Sequence, residues 1–165
     1  MSSYGLSSEL KISEEEANTY IDIYFNKFRN VKKFIDDVIG QAKKQGYVET
    51  ILGRRRYVPE LESKNRNIQK FGERIAVNSP IQGSGADIIK VSMVNVYRKL
   101  KGKKSRIVLQ IHDELLVELF EEEKDDVLDM IKREMESSIK LDVPVKVEVG
   151  TGKTWLECKK WELLV

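Results

Sequence analysis

Apolar residues return at helical intervals early in the chain: Ala17, Tyr20, Ile21, Tyr24, Phe25 and Phe28, then Val31, Phe34, Ile35, Val38, Ile39 and Ala42 beyond Arg29-Asn30. Spacings of three and four line each set along one side of a helix, which predicts two amphipathic helices or one bent helix. Ser13 and Glu16 form a capping-box pair, Ile12 and Ala17 are placed as a hydrophobic staple, and Gly46 supplies the stop. The stretch YVETILGRRRYVPEL then puts β-formers on both sides of Gly53, predicting a short hairpin whose second strand is limited by Pro59. A helix over 65–78 is predicted to end before SPIQGSG, where Pro80, Gly83 and Gly85 interrupt it. Ser84 is expected to cap the next helix, which runs to about Leu100 with Ala86, Ile89, Met93, Val96, Tyr97 and Leu100 on one face. Residues 106–111 and 115–119 read as strands, 122–139 as a helix, and VKVEV at 145–149 as a last strand after Pro144. Strand, strand, helix, strand in that order suggests an α+β layer, an antiparallel sheet covered by helices.

Composition narrows this little. A chain of 165 residues is one ordinary domain, long enough to bury about two-thirds of the surface its unfolded form exposes. The single Cys158 excludes an internal disulfide, and MSSYGLSSEL lacks the apolar core of a signal peptide. No run approaches the ~20 apolar residues that cross a bilayer. The default expectation is a soluble intracellular protein, cytoplasmic and without a membrane partner. The net charge of +2 sets up no global field, but the charges are segregated. Positions 43–70 hold eight basic and three acidic residues, whereas 121–136 hold eight acidic and three basic ones. The acidic stretch reads as a solvated helix face. Arg54, Arg55 and Arg56 at a hairpin turn could reach a phosphate backbone, as could a second cluster over 98–106, and both fit ordinary surface cations equally.

The segment IVLQIHDELLVEL at 107–119 carries the candidate chemistry. Two apolar runs meet at His112-Asp113-Glu114, with the only histidine of the chain between them. A two-residue hairpin loop favours Asn-Gly or Asp-Gly because its central residues need positive φ. His112-Asp113 supplies no glycine, so the turn is costly unless a bulge or longer loop relieves it. One His and one late Cys give no support to a nucleophilic triad and leave a zinc site short of His and Cys ligands. A carboxylate at a strand tip does suit Mg²⁺ or Mn²⁺, with substrate phosphates completing the shell.

QIHDELLVE at 110–118 resembles motif C of the family A DNA polymerases, the bacterial DNA polymerase I type. SYGLSSELKIS at 3–13, GYVETILGRRRYVPEL at 46–61, ERIAVNSPIQGSGADIIK at 73–90 and LDVPVKVEVGTGKTW at 141–155 are similar to successive blocks of that polymerase domain, in the same order. The resemblance covers about 3–156. It implies a palm with the motif C hairpin packed against helices, and N-terminal helices belonging to part of the fingers, so that 1–156 is one partial polymerase domain and 157–165 a tail. It implies that Asp113 binds catalytic metal, that Glu114 supports it, and that His112 sits near the primer terminus. Arg74, Asn78 and Gln82 match residues that approach template and primer. Arg and Gln donors there would test minor-groove acceptors common to all correct base pairs. The implied partners are primer-template DNA and deoxynucleoside triphosphates.

Such polymerases use two metal ions about 4 Å apart, bridged by two aspartates. The first aspartate belongs to motif A, and nothing here resembles it. Asp22, Asp36 and Asp37 lie in helical patterns, and Asp87 lies inside a matched block. Motif B should end just before this sequence starts. The chain is therefore expected to be the C-terminal part of a DNA-directed DNA polymerase, either a fragment or a separate subunit, inactive until an N-terminal part supplies motifs A and B. The alternative is a noncatalytic nucleic-acid-binding or structural module that reuses the palm. A third reading is a structural subunit or assembly, in which the apolar surface uncovered by a missing half makes self-association possible.

Overall fold

A computed structural model describes residues 2–158; Met1 and the tail from 159, including Trp161, Leu163 and Leu164, lie outside the described residues. The chain divides into two compact units, one made of 1–49 and 53–80, the other of 50–52 and 81–165.

In the first unit the caps fall where the side chains put them. Ser2 caps α1 (Ser3–Leu10) by accepting from the Gly5 amide. The Ser13–Glu16 box opens α2 (Glu14–Lys27): the Ser13 hydroxyl accepts from Glu16 N–H at 3.2 Å, and Glu16 accepts from Ser13 N–H at 3.0 Å. The bond from Ser13 N–H, with a second donated by the Ser13 hydroxyl at 2.9 Å, holds the Glu16 carboxyl below its ordinary range. The helix breaks at Phe28, and α3 (Arg29–Gln45) follows as a separate helix. Gly46 ends it at φ +78, a conformation that costs a glycine little. β1 (Tyr47–Glu49) and β2 (Arg55–Tyr57) form the expected hairpin, with Gly53 also at φ +78. Ala42, Val48, Val58, Leu61 and Ala76 close the core. The faces of α2 and α3 are less covered than their periodicity suggests, for Tyr20, Ile23, Tyr24, Phe28 and Phe34 are all exposed.

The predicted break at SPIQGSG does not occur. One helix, α4 (Arg66–Leu100), runs through Pro80, Gly83 and Gly85. Proline removes one backbone donor and costs about 3 kcal/mol inside a helix. Packing on either side offsets this, since Ile75 and Ala76 contribute to the first core and Ile89, Val96 and Leu100 to the second. Ser84 is consequently no cap: within the second unit its hydroxyl accepts from Ile51 N–H at 2.9 Å.

In that unit β3 (Arg106–Ile111) and β4 (Glu114–Glu118) pair antiparallel. Ile107, Leu115 and Val117 pack on a cluster of Ile89, Val96, Leu100, Val127, Met130 and Ile131. Tyr97, placed on the apolar face by its spacing, is instead 61 % exposed. A 3₁₀ turn (Glu121–Glu123) leads into α5 (Lys124–Glu136). That helix stops short of 139, where Ser137 and Ser138 return their hydroxyls to the carbonyls of Arg133 and Met135. The final strand is not formed. Val147 packs on the core, but its N–H donates to the Glu136 carboxylate at 3.1 Å rather than to a neighbouring strand. A short α6 (Trp155–Cys158) ends the described chain. Among the described residues no helix is long and apolar enough to cross a membrane.

Glu123 ties the hairpin's flanks together. It accepts from the amides of Lys104 (3.0 Å) and Ser105 (2.9 Å) and from the Ser105 hydroxyl (2.7 Å), and these bonds lower its carboxyl to about 2. Because the folded value is depressed, the contribution to stability is complete above the ordinary 4.5 and is lost as the pH falls through about 2. Glu123→Gln should therefore flatten the acid limb of a stability-versus-pH curve across that window, measured by urea unfolding. In the first unit, a Cβ at Gly72 would lie 3.0 Å from the Leu61 amide nitrogen, an amide already committed to the Val58 carbonyl. Gly72→Ala should gain about 1 kcal/mol of helix propensity yet lose more to overpacking, a net destabilisation of roughly 1–2 kcal/mol in the same assay.

Candidate functional site

The β3–β4 hairpin is built to present its tip. Ile107 pairs with Val117, and the register then shifts between Ile107 and Leu109, so Val108 is the extra residue of a bulge. Pairing resumes as Leu109–Leu116, Gln110–Leu115 and Ile111–Glu114, which leaves His112 and Asp113 as a two-residue loop. Of these two only His112 has positive φ, at +51. The strain expected from a loop without glycine is thus present, on the histidine. The Gln110 side-chain amide donates to the His112 carbonyl at 2.6 Å.

His112 and Asp113 are exposed at the tip, and Glu114 is half-buried behind them. Asp113 and Glu114 border a half-open cleft of about 530 Å³ within the second unit, walled mainly by apolar side chains including Ile88, Leu116, Val147 and Trp155. Among the described residues no three His, Cys, Asp or Glu side chains converge as a metal cage. The donor set here is one exposed carboxylate with an acidic neighbour. That fits Mg²⁺ or Mn²⁺, which bind through one or two carboxylates and keep their remaining positions for water and phosphate oxygens.

The other predicted residues are distributed over both units. Gln82 belongs to the second, with the hairpin; Arg54, Arg55, Arg56, Arg74 and Asn78 belong to the first. Arg74, Asn78 and Gln82 fall at intervals of four within α4, and all three are exposed. Arg74 also stacks on the Phe71 ring, 5.6 Å from its centroid. Arg55 is engaged inside its own hairpin: it bonds Glu49 at 2.8 Å and lies 4.5 Å from the Tyr47 ring centroid. The bond to Glu49 is the main cause that raises its pKa. Much of the second basic cluster is similarly engaged, with Arg106 on Glu118, Lys101 over Tyr97 and Lys104 over Phe120.

Two polar side chains escape the sequence reading. Asp87 is 6 % exposed and accepts from the Thr50 hydroxyl, fastening residues 50–52 to α4. Nothing in the local pattern signals this, because the pairing spans 37 positions. Gln110 could have been noticed as an amide two residues before a strained loop.

This geometry can be set beside known proteins. The profile of DNA polymerase family A matches residues 1–157. The chain is 48 % identical over 161 residues to the DNA polymerase I of Caldicellulosiruptor bescii, covering 96 % of this chain and 19 % of that protein. It is 50 % identical over 157 residues to the DNA polymerase I of Mycobacterium leprae, covering 94 % and 17 % respectively. It superposes with a TM-score of 0.91 and 50 % identity on the POL domain of Pol1 from M. smegmatis, solved as a complex with DNA primer-template and dNTP; the match covers 94 % of this chain and 28 % of that one. The chain therefore spans less than a fifth of the length of these curated relatives. With a family match over nearly its whole length, this chain is a member of DNA polymerase family A.

Proposed function

We propose that the chain forms the C-terminal share of the active site of a DNA-directed DNA polymerase, contributing part of the fingers and much of the palm over 1–156. The observation that carries this is Asp113, the motif C aspartate, exposed at the tip of a hairpin whose register is pinned by its own core. In the reaction the primer 3′-oxygen attacks the α-phosphorus of a deoxynucleoside triphosphate, a new phosphodiester bond forms, and pyrophosphate leaves. Bound Mg²⁺ or Mn²⁺ would lower the pKa of the 3′-hydroxyl and neutralise charge on the phosphates.

The chain's own residues take definite parts in this reading. Asp113 holds metal, Glu114 supports it from its half-buried position, and His112 lies beside the primer end. Arg74, Asn78 and Gln82 approach the primer-template, where their donors sense base-pair shape. Arg54 and Arg56 meet the phosphate backbone. Arg55, bonded to Glu49, contributes mainly by stiffening the hairpin beside them. The complex of the mycobacterial POL domain with primer-template and dNTP supports these as the partners. In this reading a second metal-binding aspartate and the residues that grip the nucleotide would come from an N-terminal part with motifs A and B, which no stretch of this sequence resembles.

Primer extension with Mg²⁺ tests this. The chain alone should give no extension, and addition of the N-terminal polymerase part should restore it. Asp113→Ala should then reduce synthesis by on the order of 10³-fold, the several kcal/mol a metal supplies at a developing charge, while DNA binding stays within about twofold. Robust extension by the chain alone would contradict the claim of a shared site. Salt-dependent DNA binding with no restored synthesis would favour a noncatalytic binding module instead.

A further inference from the structure

We propose that Gln110 is a positioning residue: its side-chain amide locks the His112–Asp113 turn in the conformation that aims the Asp113 carboxylate. This rests on the reading of Asp113 as a metal ligand. His112 holds φ +51, a region in which any side chain other than glycine's crowds its own backbone. Left to itself such a loop relaxes, and relaxation about His112 rotates the next residue, Asp113. The bond from Gln110 to the His112 carbonyl, at 2.6 Å, closes a short ring across the strained residue. Its donor acts directly on the loop's backbone.

Gln110 is well placed to be separable from folding. It is exposed, and the cluster beneath the hairpin is made by Ile107, Leu115 and Val117 rather than by Gln110. Replacing it opens no cavity. The pairing of Ile111 with Glu114 would remain, so the hairpin would keep its register while its tip lost one fixed orientation.

The test has one readout in the isolated chain and one in the complemented enzyme. Gln110→Leu keeps side-chain bulk and removes the donor; a single neutral hydrogen bond corresponds to about a three- to tenfold change in population. Amide hydrogen exchange at Asp113 and Glu114 should quicken by that factor, while the urea midpoint of the whole chain does not move. Adding His112→Gly, which adopts positive φ without cost, should make exchange insensitive to the residue at 110. Unchanged exchange in Gln110→Leu overturns the proposal. In the complemented enzyme, Gln110→Leu should raise the Mg²⁺ concentration for half-maximal synthesis by three- to tenfold and leave the KM for primer-template unaltered. If Asp113→Ala abolishes synthesis but Gln110→Leu leaves the Mg²⁺ requirement unchanged, the positioning role falls and the polymerase reading stands. If Asp113→Ala has no effect on restored synthesis, both fall.

Discussion

The tip of the β3–β4 hairpin is only as well defined as the burial beneath it. Ile107, Leu115 and Val117 pack on a cluster that includes Ile131, Met130 and the fully buried Val96 and Val127. Fully burying each such aliphatic side chain is worth about 1.5–3 kcal/mol. A slip of one residue would turn that set toward water. Register is therefore expensive to change, and it is the register that assigns His112 and Asp113 to the loop. Hydrophobic area chooses the pair, and hydrogen bonds refine its shape.

Charge plays a smaller part than its density suggests. The acidic stretch over 121–136 separates into two roles: Glu123 is a working hydrogen-bond acceptor, while α5 turns Val127, Met130, Ile131 and Met135 inward and leaves most of its carboxylates in water. Exposed pairs such as Lys32–Asp36 and Lys33–Asp37 are local to one helix face and are largely screened by water. Several cations that a reader of the sequence would offer to nucleic acid are already paired within the fold.

Local signals in the sequence transferred to the structure well. The capping box at Ser13, the stop at Gly46 and the turn at Gly53 each depend on a few neighbouring atoms, and each is where its residues predict. What failed depended on distance. Pro80 breaks an isolated helix, but α4 is supported by cores on both sides of it. VKVEV alternates like a strand, yet a side chain from α5 takes its backbone donor. In β3 the bulge at Val108 puts Leu109 on the face opposite Ile107, so Leu109 is 46 % exposed although simple alternation would bury it. For the site, the place of His112 and Asp113 in the hairpin loop and the strain at His112 were legible, because turn chemistry is short-range. The Gln110 bond was not, since a side-chain rotamer at a loop is set by geometry that residue types alone do not carry.

The Glu123 clamp has a kinetic consequence. It joins Lys104 and Ser105 to a carboxylate only 19 and 18 positions away, and most of what lies between them is the hairpin itself. Closing so short a segment forfeits little chain entropy, and contacts of low sequence separation form early. The strand pair bearing Asp113 therefore costs little chain entropy to close, and its pairing belongs with the early contacts of the second unit.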